Sequence, residues 1–311
     1  MKLPRWARRL ATALLVAAAA WYLFDSVADN WGALRRYRWE VDPLLLAASV
    51  GAHVGVLAFG VWIWERVLRR FEHPPVRLGT LLRIWFLSNL ARYVPGKIFQ
   101  FVAVAQLSRA AGLSGAVLLT SMLVQTALSL LAAAVLAAWT LGAGFFPALS
   151  FLWIGLAATA FAVVLVHPDL LNAVLGLLPR LFKREVIRWN GGWAEGVGLL
   201  GLAVVNWVMY GGAYYLFLRS LAEVPAQLLP QLAGVNALSF LAGYVAFVTP
   251  GGLGVREVTM KALLDPYVPG GVAAVLAVAS RLWTVAAELI GGALAVIGAR
   301  RHPAAVPPPG D

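Results

Sequence analysis

Arg92, Lys97, Arg256, Glu257, Lys261, Arg281 and Glu288 are ionisable groups set inside otherwise apolar sequence. A charge at the centre of a helix in lipid costs about 3 kcal/mol, so exposing the whole set to hydrocarbon would cost on the order of 20 kcal/mol. These groups must pair, reach an interface or face water. Cations outnumber carboxylates among them, so an occupied site prefers a negative guest. Arginine offers a planar fork matched to the oxygens of a phosphate ester. The candidate substrate-binding residues are Arg92, Lys97, Arg256, Glu257, Arg281 and Glu288, with Gln100 beside the first break as a neutral hydrogen-bonding candidate or polar glue. Other roles stay open: Lys97 and Lys261 have stems long enough to reach an interface, Arg92 and Arg256 can cap structure, and Arg281 and Glu288, on one helix face, can form a structural pair. Asn89, Tyr93, Tyr244 and Thr249 lie nearby, as neutral hydrogen-bonding groups or as polar glue between helices.

The backbone around these groups is interrupted. Ser88 to Lys97 and Ser239 to Glu257 read as distorted copies, one in each half of the chain, broken by Pro95 and Gly96 and by Pro250, Gly251, Gly252 and Gly254. Proline and clustered glycine stop a helix. Where a helix restarts, its free N–H groups and positive dipole end can hold an anion, and glycine lets a ligand approach the backbone. Paired breaks in corresponding halves point to a substrate site between two repeats, because unwound backbone survives at membrane depth only beside a polar cavity.

The elements that must position these residues are membrane spans. Apolar residues make up 61% of the chain, charged residues only 13%, and the mean hydropathy is +0.80, which excludes an ordinary water-soluble domain. Runs long enough to cross a bilayer are Leu10 to Val27, Pro43 to Trp64, Ser114 to Leu141, Leu149 to Val166, Val197 to Phe217 and Val272 to Gly298. The first can instead be read as a signal peptide, given the basic residues before it. The interrupted stretches, residues 80–109 and 228–265, are either kinked spans or hairpins that return to the side they entered. Charge favours hairpins: they gather the arginines of residues 66–83, Arg109, the basic residues of 180–188 and both termini on one side, and leave Arg35, Arg36, Arg38 and Arg219 on the other. The expected fold is an all-α polytopic membrane protein with about six transmembrane helices and two broken re-entrant hairpins in an inverted repeat, their tips meeting near the midplane.

The domain plan follows. Residues 1–42 form an N-terminal helix and loop, 43–168 the first repeat, 169–196 a cytoplasmic loop, 197–300 the second repeat and 301–311 a proline-rich tail. Positive-inside bias places the protein in the cytoplasmic membrane with both termini cytoplasmic.

Several classes lack support. The chain has no cysteine, its histidines are scattered, and no nucleotide, metalloprotease or serine-hydrolase motif is present, so neither a catalytic residue, a metal nor a cofactor is expected. The net charge of +11 is spread among loops, against nucleic-acid binding. Glycine pairs at 51/55 and 192/196 suggest close helix packing, and the 13 tryptophans suggest interfacial anchors. His53 reads as a buried hydrogen-bonding residue ahead of a proton relay.

Arg92 to Gln100, Pro250 to Glu257 and Arg281 together resemble the transmembrane region of lysylphosphatidylglycerol synthases and related stand-alone flippase-like membrane proteins. The resemblance implies movement of modified phospholipids between leaflets, with Arg92, Lys97, Gln100, Arg256, Glu257 and Arg281 as matching positions. It implies an anionic lipid head group and the bilayer as partners, with a separate lipid-modifying enzyme as a further one. The synthases continue into an aminoacyl-transferring domain that this sequence lacks, which argues against synthesis by this polypeptide. The alternatives are an accessory subunit or transferase of lipid modification, and a small-anion carrier.

Overall fold

The computed structural model describes residues 21–22, 24–25, 27–29, 31–37, 39, 41–71, 75–91, 98–145, 151–182, 187–246 and 252–301. These residues form α-helices and no strand. In chain order the helices are α1 (Trp31–Arg36), α2 (Pro43–Leu68), α3 (Leu78–Ala91), α4 (Ile98–Ala110), α5 (Gly115–Phe145), α6 (Phe151–Leu165), α7 (Pro168–Phe182), α8 (Trp193–Arg219), α9 (Leu229–Val245), α10 (Val255–Leu264) and α11 (Gly270–Arg301). Five apolar stretches, Pro43–Leu68, Gly115–Leu141, Trp193–Arg219, Ala226–Val245 and Gly271–Gly298, are each long enough to cross a membrane, and the bent pair α6 and α7 makes up to six. The expected first span over residues 10–27 lies mostly outside the described residues.

Local chemistry sets the helix ends. Asp42 caps α2, its Oδ1 accepting the N–H groups of Leu44 and Leu45 at 2.9 Å, with Pro43 at the first helical position. Gly254, at φ +85°, precedes α10, and Glu257 reaches back to accept the Gly254 N–H at 2.7 Å.

Both interrupted stretches fold back as hairpins. Val61, Trp64 and Leu68 at the end of α2 share one cluster with Leu81 and Ile84 of α3, Val104 of α4 and Leu118 of α5. The first hairpin therefore begins and ends where α2 ends. The second hairpin belongs to the other end of the bundle. The Asp42 N–H donates to the Ser220 carbonyl at 2.9 Å, joining the start of α2 to the end of α8, just before α9 begins. On its return side, Ser280 of α11 donates to Met260 Sδ of α10 at 3.1 Å, and Trp283 Nε1 donates to Ser49 Oγ near the start of α2 at 3.1 Å. The two hairpins thus enter the bundle from opposite ends, as the charge pattern predicted.

Glycines permit the closest crossings. At Gly211 an added methyl would meet Ala233 of α9, at Gly234 it would meet Thr140 of α5, and at Gly291 it would strike the Phe86 ring of α3. Gly196 packs on the Val166 carbonyl, whereas Gly51 and Gly55 face open space, so the first of the two expected glycine contacts does not form. The tryptophans also divide. Trp21, Trp31, Trp153 and Trp193 are exposed as anchors would be, but Trp64, Trp189, Trp207 and Trp283 are core residues whose ring size fills space between helices. The stretch expected as a loop over 169–196 opens with helix α7, because its apolar residues recur at helical spacing.

Candidate functional site

A cavity of about 170 Å³ lies where the two hairpins approach each other, walled by every long helix except α6 and α7. The faces that line it follow helical geometry. From α2 come His53, Val56, Leu57 and Gly60, and from α5 come Met122, Gln125, Thr126 and Ser129, each a set at i, i+3, i+4 and i+7. The α8 face supplies Asn206, Trp207 and Tyr210, and α11 supplies Thr284 and Glu288 one turn apart. Residues beside the breaks complete the wall: Trp85 and Asn89 before the first, Gln100 after it, Phe240 and Tyr244 before the second, and Arg256 after it. Across the first hairpin, Gln100 Nε2 donates to Asn89 Oδ1 at 2.7 Å, tying α4 to α3.

Arg256 is the chemical centre of this arrangement. It sits in the first turn of α10, only 6% exposed, and its Nε and Nη2 have no hydrogen-bond partner among the described residues. A buried guanidinium with idle donors is costly, at about 1–3 kcal/mol for each unsatisfied group, unless a guest accepts from it. Its backbone is fixed by close packing, since a methyl added at Gly243 would come within 2.9 Å of Arg256 Cβ. The break itself is compact. Gly252 adopts φ +70° directly against the Gly243 carbonyl, a position no side chain fits.

The other predicted residues separate into groups. Gln100, Arg256 and Glu288 line the cavity. Glu257 caps α10 with one carboxylate oxygen and faces Arg281 Nη1 at 3.8 Å with the other, so these two form an ion pair between α10 and α11. Lys261 turns elsewhere, donating to Asp265 at 2.9 Å and to the Tyr22 hydroxyl at 3.3 Å. Arg92, Tyr93, Pro95, Gly96, Lys97, Thr249, Pro250 and Gly251 lie outside the described residues. Among the described residues the cavity wall carries one cation, Arg256, and one carboxylate, Glu288. The expected excess of cations rests on Arg92 and Lys97.

His53 packs against two rings that also neighbour each other, with centroids 4.6 Å from Tyr210 and 4.2 Å from Trp283. Those rings belong to α8 and α11, so the imidazole joins three helices at the cavity edge. The wall residues Gln125, Thr126, Ser129, Asn206 and Tyr210 were not anticipated. A signal existed in the helical spacing of Gln125 and Ser129 and of Asn206 and Tyr210, but isolated neutral polar residues in apolar helices look the same when they only join helices. Ser129 does both, accepting from Trp207 Nε1 through its carbonyl at 2.8 Å and its hydroxyl at 3.1 Å.

Broken hairpins from opposite ends around one polar chamber define a polytopic membrane protein of the inverted-repeat type. The chain belongs to the family of the lysylphosphatidylglycerol synthase transmembrane region, whose profile matches residues 9–292. Comparison with curated proteins finds no match.

Proposed function

We propose that this protein moves a phospholipid or lipid-linked head group between leaflets, the head group passing through the central cavity while the acyl chains stay in the bilayer. The observation that carries this reading is the buried Arg256 guanidinium, with donors unpartnered among the described residues, on the wall of a chamber between the two hairpins. An anionic phosphate ester would satisfy it. The cavity, about 170 Å³, is smaller than the roughly 300–1,000 Å³ of sites that enclose drug-sized ligands, in keeping with a guest of which only the polar part enters. Amide and hydroxyl groups of Asn89, Gln100, Gln125 and Thr126 would replace part of the lost hydration. Arg92 and Lys97 are proposed to join Arg256 from the first break. On this reading the basic end is cytoplasmic and the protein resides in the cytoplasmic membrane.

The experiment is reconstitution in liposomes with trace head-group or acyl-labelled lipids, anionic and zwitterionic, alongside a trapped soluble anion. The expected result is faster translocation of the anionic lipid than in protein-free liposomes, with the soluble anion retained. Release of the soluble anion without lipid movement would replace this reading with that of a small-anion carrier. No effect on either would leave the accessory role in lipid modification.

A further inference from the structure

Helix α7 takes no part in the cavity, yet its sequence is strongly patterned. Its inner face is tied to the body of the protein: Asn172 Nδ2 donates to the Trp189 carbonyl at 3.0 Å, Asn172 Oδ1 accepts from the Trp189 N–H at 2.8 Å, and Leu175 is buried in the main core. Its outer face carries Leu170, Val174 and Leu177 at i, i+4 and i+7, all exposed, Val174 at 62%. An exposed apolar row on a helix fastened so firmly on its other side requires a cover.

Three observations identify the cover as lipid. First, α7 leaves α6 at 64°, so a bilayer that α6 crosses upright would have α7 closer to its plane than to its normal. Second, the neighbouring α6 and the start of α8 also expose apolar residues, Phe161, Val164 and Trp193, and the Trp193 indole N–H donates to the Val163 carbonyl of α6 at 3.0 Å. Third, it lies at the basic end of the bundle, beside the exposed Arg188 that precedes Trp189, where cations complement an anionic leaflet surface. A helix with one apolar row outward at the level of the head groups has the signature of an interfacial anchor.

We propose that α7 is an in-plane membrane anchor, with Leu170, Val174 and Leu177 set into the acyl-chain boundary of the leaflet at the basic end. The absence of cysteine makes the test direct. Single Leu170→Cys, Val174→Cys, Leu177→Cys and Arg188→Cys substitutions, all in the full chain, are labelled with a nitroxide in phosphatidylcholine–phosphatidylglycerol vesicles, and collision with oxygen and with a water-soluble nickel chelate is measured. At 170, 174 and 177 oxygen should be favoured several-fold over nickel, and at 188 the order should reverse. Preferential nickel access at 174 and 177 would place the row in water and overturn the proposal. So would exclusion of both reagents, which would mean that protein covers the row. Neither readout depends on transport, so the head-group reading stands or falls separately.

Discussion

Arg256 shows what a single buried charge demands. Its guanidinium is inside the bundle with donors that find no partner among the described residues, so its contribution appears when a guest accepts from them. Arg256→Lys keeps the charge but loses the fork, and lipid translocation should fall by about tenfold, the equivalent of about 1.4 kcal/mol, without a comparable drop in melting temperature. Rates and thermal stability measured on the same preparation separate the two effects. Glu257 plays a different part, holding the Gly254 N–H and facing Arg281. Glu257→Gln retains an acceptor for the cap, so it should lower the stability of the detergent-solubilised protein less than Glu257→Ala, for which a loss of about 1–2 kcal/mol is expected. Equal losses would mean that the ion pair, and not the cap, dominates.

At the scale of elements, glycine positions decide how close the hairpins come. A methyl at Gly252 would meet the Gly243 carbonyl oxygen at 2.5 Å on a residue at φ +70°. Gly252→Ala should therefore cost about 1–3 kcal/mol in strain, before any clash is relieved, and displace the first turn of α10 with Arg256 on it. Gly51→Ala and Gly55→Ala meet open space and should be neutral or slightly stabilising, since alanine suits a helix interior better. Thermal melts of the three variants check the contrast. The breaks themselves were legible in sequence because proline and clustered glycine act locally. The cavity wall was not. Whether Gln125 or Asn206 serves a chamber or a helix contact depends on which helices pack together, and packing of His53 against Tyr210 and Trp283 joins residues far apart in the chain. The ion pairing of Arg281 with Glu257 was likewise hidden, because their spacing says nothing about how α10 lies on α11.

Across the whole molecule, charge distribution and fold agree. Arginines near the end of α2, at the start of α3 and at the end of α4 gather at the end from which the first hairpin enters, while Arg219 stands at the other. That division was readable from loops alone because orientation follows cations in short loops. Single cysteines at Arg188 and Glu223 should therefore react with an impermeant maleimide from opposite faces of oriented vesicles, position 188 from the cytoplasmic face. Labelling of both from one face would remove the inverted arrangement. The central claim is that head groups cross through the chamber holding Arg256, and its most direct test is the initial rate of anionic-lipid translocation in liposomes containing equal amounts of native protein or folded Arg256→Ala. The account predicts a fall of about 10- to 100-fold, as expected for losing a charge-assisted contact of about 1.5–3 kcal/mol. Equal rates in the two preparations would contradict it.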